Sequence, residues 1–310
     1  MKVYPRKDLD HSFKNLFSAV AIASTPSLEK KTIENEFENL WQGENLVTGL
    51  SVRTIFDSFL TSQNFDEGSE VIMSGITIPD MVKIVESHKL KIVPVDMDMA
   101  TLQVNSESIS NAITGKTIMV VVAHLFGSRM KMEPIYNALS NHPHIMIVED
   151  CAQAFDGVNG YVKGRMTDIS LFSFGTIKSI TALGGAIAFI KKPELQKAIK
   201  TSLGYYPKIK DSEFLIKALK YLMLKVLGKP SIYGLFISTM RLFGVDYDKA
   251  IESLKNVEIN QNKLESEEVL LSFAQDQLLD ACSSENTRWC QVERASQSFS
   301  KTQLLENLEK

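Results

Sequence analysis

H-I-M-I-V-E-D (residues 144–150) and I-S-L-F-S-F-G-T-I-K (residues 169–178) decide the reading of this chain. Each begins with a short, largely apolar run, as a strand buried on both faces requires. Each also ends on a group able to do chemistry, Asp150 in one and Lys178 in the other, 28 residues apart. Runs of the same kind predict strands at 71–73, 91–95, 117–123 and 185–190, beside 144–148 and 169–174. Between them, I-P-D-M-V-K-I-V-E (78–86) carries Pro79 near the first helical position and sets Met81, Ile84 and Val85 on one face. E-P-I-Y-N-A-L (133–139) starts the same way and stops at Asn141-His142-Pro143. Strands alternating with helices build an α/β fold, a mostly parallel central sheet covered by helices.

Outward from this core, L-S-V-R-T-I-F-D-S-F-L (50–60) is a predicted helix whose first turn follows Thr48-Gly49. On the other side, F-L-I-K-A-L-K-Y-L-M-L-K-V-L-G-K-P (214–230) is a basic amphipathic helix ended by Gly228 and Pro230, and a second apolar stretch follows to Phe243. The pair is expected to pack on the core or on a subunit partner, with contact to a membrane surface as the lesser alternative.

Composition narrows the function classes. With 310 residues, 44% of them hydrophobic and 23% charged, the chain can bury a substantial core. A formal charge of −3 gives no electrostatic reason to expect nucleic acid as a partner. Cys151, Cys282 and Cys290 have neither metal-ligand spacing nor an even count, so no metal is expected and a reducing, cytoplasmic setting is. The first residues lack a signal-peptide apolar region, and no stretch reaches the roughly 18 apolar residues of a membrane span, so a soluble protein is expected.

In an open α/β sheet, ligands collect at the carboxyl ends of the strands. Asp150 alone reads as the cap of a helix starting near Ala152, and a lone lysine reads as a solvated surface charge. Together they mean more. A lysine between two buried strands is costly to desolvate unless its charge is paired or removed, and bonding to an aldehyde removes it. An acid for a ring nitrogen and an amine for an aldehyde are what pyridoxal 5'-phosphate (PLP) requires.

V-E-D-C-A-Q-A-F-D-G (148–157), F-S-F-G-T-I-K (172–178) with the later Gly184-Gly185, and A-H-L-F-G (123–127) resemble the DegT/DnrJ/EryC1/StrS family of PLP-dependent aminotransferases, from about Leu50 to about Ile190. The resemblance implies the aspartate aminotransferase-like fold (PLP fold type I), a three-layer sandwich. It also implies a homodimer and PLP as cofactor. By position, Lys178 matches the lysine that holds the cofactor and later shuttles the substrate proton, and Asp150 the aspartate on the ring nitrogen. Gln153 matches the residue at the phenolic oxygen, Ser173 a phosphate-contacting serine, and Ser51-Val52-Arg53-Thr54 the phosphate turn. Val52 and Arg53 stand where glycine and threonine are usual, which points to a guanidinium clamp beside Thr54. Ile78 stands where an aromatic usually stacks on the ring, and Gly175 where a bulkier residue is common. His124 and Cys151 read as buried structural residues.

The implied division is an N-terminal arm and helix (1–45), a PLP-binding large domain (46–200), a helical insertion (201–255) and an incomplete C-terminal small domain (256–310). The implied reaction moves an amino group from an amino-acid donor to a keto acceptor such as a nucleotide-linked keto sugar. The alternative is a PLP-fold protein without turnover, serving as a regulatory or structural subunit through its apolar helices.

Overall fold

In the computed structural model, residues 11–24, 39, 45–98, 100–155, 166–176, 178, 180–206 and 211–242 are described. Much of the proposed N-terminal arm, the end of the insertion and all of 256–310 lie outside them. In chain order the elements are α1 (Phe13–Ser24), β1 (Asn45–Gly49), α2 (Val52–Gln63), β2 (Glu70–Ser74), α3 (Pro79–Ser87), β3 (Lys91–Val95), β4 (Met97–Asp98), β5 (Gln103–Val104), α4 (Ser106–Ala112), β6 (Thr117–Ala123), α5 (Glu133–Ala138), β7 (Met146–Asp150), β8 (Ile169–Ser173), β9 (Ala186–Ile190), α6 (Pro193–Leu203), α7 (Asp211–Leu227) and α8 (Pro230–Leu242).

Seven strands form one sheet in the order β1-β9-β8-β7-β6-β2-β3. β8, β7, β6, β2 and β3 run parallel, while β9 is antiparallel to both β8 and β1. β1 therefore points the same way as the parallel strands, and Gly49, Ser74, Ala123, Asp150 and Ser173 all end at one edge. Helices and packed side chains cover both faces, the three-layer arrangement expected for such a sheet. On one face, Val121, Val148, Ile169 and Leu171 pack with Ile55, Phe56 and Phe59 of α2. On the other, Ile72, Val120 and Ile147 pack with Ile135 and Ile109, and farther along Phe172 and Phe189 meet Leu16 and Phe214.

The predicted strands form with small shifts, and β7 runs two residues further than expected, so Asp150 belongs to the ladder opposite Ala123 and Leu171. The edge strand β1 was not expected, because N-L-V-T-G has too few apolar residues to read as a buried run. It forms because β9 offers it a complete antiparallel partner from Asn45–Ile190 to Gly49–Ala186. Helices α4 and α6 and the small β4–β5 pair were also unread. α4 begins at Asn105, whose side chain accepts the N–H groups of Glu107 and Ser108.

Candidate active site

Alternation along the strands sets the site. Asp150 shares the parity of Val148, and Ser173 that of Leu171, so both project onto the sheet face that α2 covers, at its carboxyl edge. Asp150 is buried, and its Oδ1 accepts the Ala152 N–H at 3.0 Å. Burial raises the Asp150 pKa above the ordinary carboxylate value, with partial relief from that N–H and from the positive charge of Lys178. Lys178 closes a turn in which its N–H donates to the Gly175 carbonyl at 3.0 Å. Desolvation lowers the Lys178 pKa, and the charge of Asp150 opposes the shift. The predicted acid and amine are thus near enough for each charge to act on the other.

Ser173 joins them. A Cβ placed on Gly175 would sit 3.6 Å from Ser173 Oγ and 3.9 Å from Lys178 Cγ, so the hydroxyl and the lysine stem flank the same small space. Gln153 follows Asp150 by one short turn, and its Oε1 accepts the N–H of Phe126 at 3.2 Å. An N–H can only donate to the amide oxygen, so the Gln153 amide is oriented and its NH₂ remains the donor end.

The second part of the site is the start of α2. Ser51 caps the helix, its Oγ accepting the Thr54 N–H at 3.1 Å and lying 3.0 Å from Thr54 Oγ1. α2 lies close to the strand because Gly49 has no side chain: a Cβ there would meet Ile55 Cγ1 at 2.7 Å. Arg53, predicted as a clamp, instead places Nη1 on Asp80 Oδ2, in the first turn of α3. This ion pair ties the α2 start to the loop that carries Ile78, which is the residue before α3 and is 39% exposed. Asp150 and Ser173 end strands at the carboxyl edge, Gln153 and Lys178 follow them in the next turns, and Arg53, Thr54 and Ile78 lie at the starts of α2 and α3. A buried acid, a desolvated amine, hydroxyls and a capped helix start form a donor set that fits PLP.

Sequence reasoning passed over Glu149. It points to the opposite face, fully buried, where its Oε2 meets His124 Nε2 at 2.8 Å and its Oε1 accepts from the Thr167 hydroxyl. His124 Nδ1 accepts the Met130 N–H at 3.1 Å, so Nε2 carries the proton and donates to Glu149. Tyr136 Oη lies 2.8 Å from Thr167 Oγ1 and extends the chain. The network holds the Glu149 pKa below its ordinary value, the His124 and Thr167 hydrogen bonds outweighing desolvation. His124 is therefore a hydrogen-bonded core residue. Its signal in the sequence was parity alone: the residue beside Asp150 had to face the other way. Cys151, also expected to be buried, is buried and free of any disulfide. Its thiol, His124 and Glu149 could approach a metal, but the histidine and the carboxylate are committed to each other.

The DegT/DnrJ/EryC1/StrS aminotransferase family model matches residues 24–210, more than half of the chain, and the chain belongs to that family. A GDP-perosamine synthase of Escherichia coli O157:H7 is 32% identical over 157 residues, covering 49% of this chain and 43% of that protein. Among solved structures, an aminotransferase from Psychrobacter cryohalolentis is 23% identical with a TM-score of 0.55, over 63% of this chain and 52% of that one. An E coli GDP-4-keto-6-deoxy-D-mannose-3-dehydratase with bound hydrated PLP is 18% identical with a TM-score of 0.55, over 64% and 54%. The chain spans about half the length of these relatives. The structural likenesses establish the fold.

Proposed function

We propose that this chain is a PLP-dependent aminotransferase that moves an amino group from an amino-acid donor, glutamate in the first instance, to a nucleotide-linked keto sugar. The observation that carries the reading is the buried carboxyl of Asp150 at a sheet edge together with a desolvated amine, Lys178, whose charge it feels. Family membership supports the reaction class. The acceptor class rests on relatives named for GDP-linked sugars. The regulatory-subunit alternative draws no support from them.

When bound, PLP supplies an aldehyde that takes up the amino group and a ring that draws electrons from the substrate carbon. Each residue then has a role set by its surroundings. Asp150, held by the Ala152 N–H in a site of low polarity, is a strong partner for a ring N–H and keeps a proton on that nitrogen. Lys178, its pKa lowered, offers a larger neutral fraction at Nζ, so it can attack a carbonyl and later accept a proton from the substrate carbon. The Gln153 NH₂ would donate to the phenolic oxygen. Ser173, Thr54 and the first N–H groups of α2 would hold the phosphate, and the Arg53 guanidinium has donors left beyond Asp80. Ile78 would pack on the ring.

The family resemblance supports a homodimer, to be tested by light scattering. Cys151, buried and in no disulfide, supports a cytoplasmic setting. To test the chemistry, the protein is loaded with PLP, reduced with borohydride and digested. Mass spectrometry is expected to find the cofactor mass on the peptide containing Lys178, and none after Lys178→Ala. A wild-type protein with no adduct refutes the cofactor assignment. Unreduced holoprotein given glutamate alone is expected to release one equivalent of 2-oxoglutarate, and release without turnover of a GDP-linked keto sugar would reject the acceptor only.

A further inference from the structure

Gln153 is exposed, and among the described residues its amide has one hydrogen-bond partner, the Phe126 N–H at 3.2 Å. An exposed glutamine is free to rotate, and an amide flipped end for end offers an oxygen where a donor is needed. The contact proposed for the phenolic oxygen therefore depends on what holds Phe126. That residue belongs to a tight turn in which the Ser128 N–H donates to the Leu125 carbonyl at 2.9 Å. Both central residues are left-handed, Phe126 at φ 56° and Gly127 at φ 78°. The conformation is unfavourable for phenylalanine, and at 73% exposure the packing of its ring does little to offset it. The turn lies against the Gln153 backbone as well, since a Cβ on Gly127 would sit 3.9 Å from the Gln153 carbonyl oxygen.

The turn is closed from behind by His124. Its N–H donates to the Asp150 carbonyl at 2.9 Å, one residue past the rung that pairs Ala123 with Asp150. Its imidazole spans from β7 to the far end of the loop: Nε2 donates to Glu149 Oε2 at 2.8 Å, and Nδ1 accepts the Met130 N–H at 3.1 Å. Leu125 and Met130 are buried on either side of the turn. Both ends of 125–130 are thus fastened to β7, the strand that leads into Asp150 and Gln153.

We propose that His124 is a positioning residue for the cofactor: its Nδ1 closes the 125–130 loop, and the Phe126 N–H of that loop fixes the Gln153 amide, leaving the NH₂ as the end offered to the phenolic oxygen. The inference rests on the cofactor reading above. Two tasks separate by atom, with Nε2 serving the buried Glu149 and Nδ1 serving the loop and the site. Asparagine at this position sets an oxygen near the place of Nδ1, whereas glutamine reaches only toward that of Nε2.

The test reads exchange of the Phe126 amide with solvent deuterium by NMR on the cofactor-free full chain, and the pH midpoint of the bound cofactor's colour change on the PLP-loaded one. In the wild type the Phe126 amide is expected to be protected although its residue is exposed. Gln153→Ala and His124→Gln should each lose about tenfold in protection. Gly127→Val forces a β-branched residue into a left-handed conformation at the surface, and should act like His124→Gln without touching the core. H124N/E149Q, in which the asparagine oxygen takes the Met130 N–H and no buried charge is left unpaired, should keep the protection. A donor at the phenolic oxygen favours its anionic form, so Gln153→Ala, His124→Gln and Gly127→Val should raise the colour midpoint by up to about one pH unit, while H124N/E149Q matches Glu149→Gln alone. An unprotected Phe126 in the wild type overturns the proposal, as do His124→Gln and Gly127→Val variants that keep the protection and the midpoint. A wild-type protein without the borohydride-trapped adduct overturns the cofactor reading and the phenolic-oxygen role with it, and the exchange data then show separately whether His124 holds the loop.

Discussion

Glu149→Ala and Glu149→Gln should differ sharply although both remove the same charge. Glu149 is fully buried and accepts two hydrogen bonds, from His124 Nε2 and from the Thr167 hydroxyl. Alanine strands the His124 N–H in a dry interior, a loss of about 1–3 kcal/mol, and leaves a void where the carboxyl was, so breaking this buried pair should cost about 3–5 kcal/mol in all. Thr167 suffers less, because its hydroxyl can turn toward Tyr136. Glutamine preserves the connectivity: its oxygen accepts from His124, its NH₂ donates to Thr167 Oγ1, and Thr167 then donates to Tyr136. The weaker neutral hydrogen bonds are offset by a charge no longer buried, leaving a cost of about 1 kcal/mol. In urea unfolding at neutral pH, a slope of about 2–3 kcal/mol/M turns these figures into midpoint losses of about 1–2 M for alanine and under about 0.5 M for glutamine. Equal midpoints for the two variants, or an alanine variant as stable as wild type, would refute the proton assignment and the network drawn from it. The pH dependence adds a second readout. The Glu149 pKa is lowered in the fold, so its stabilisation is complete above the unfolded carboxylate value and is lost as pH falls through the folded one. Glu149→Gln should flatten that acid limb.

Its neighbour should behave with the opposite sign. Because burial raises the Asp150 pKa, the cost of its charge is present at neutral pH and is relieved as pH falls through the folded value toward the unfolded one. Asp150→Asn should therefore leave the cofactor-free protein at least as stable as wild type at pH 7 while abolishing release of 2-oxoglutarate from glutamate. Ser51→Ala removes the α2 cap and should cost about 1 kcal/mol in urea unfolding, together with weaker PLP retention on dialysis. Arg53→Ala breaks an ion pair whose side chains are one-third or more exposed, so its stability should change by less than about 1 kcal/mol. A drop in PLP affinity despite that unchanged stability would tie the guanidinium to the phosphate, and unchanged affinity would leave it as a link between α2 and α3.

The runs around Asp150 and Lys178 were legible because a strand buried on both faces must be apolar along its length and must end where the chain can turn. Pro79 at the start of α3, Ser51 before α2 and Gly185 (φ 86°) before β9 were local signals of the same kind, since each acts through its own backbone. The resemblance to the aminotransferases rested on such local motifs, and so it was visible in the chain by itself. Partnerships between distant residues were not. Arg53 and Asp80 are 27 positions apart and His124 and Glu149 are 25, and no periodicity couples them. The edge strand β1 exists because β9 lies beside it, and its own five residues carry little signal. Periodicity showed that α7 has two faces, but which face is buried depended on where α1 came to rest. Sequence alone determined the elements and the chemistry-bearing residues at their ends, because both follow from a few neighbouring side chains. Tertiary structure decided which carboxylate is desolvated, which is hydrogen-bonded and which apolar stripe meets water, because solvent exposure and proton affinity are set by atoms that folding brings from elsewhere in the chain.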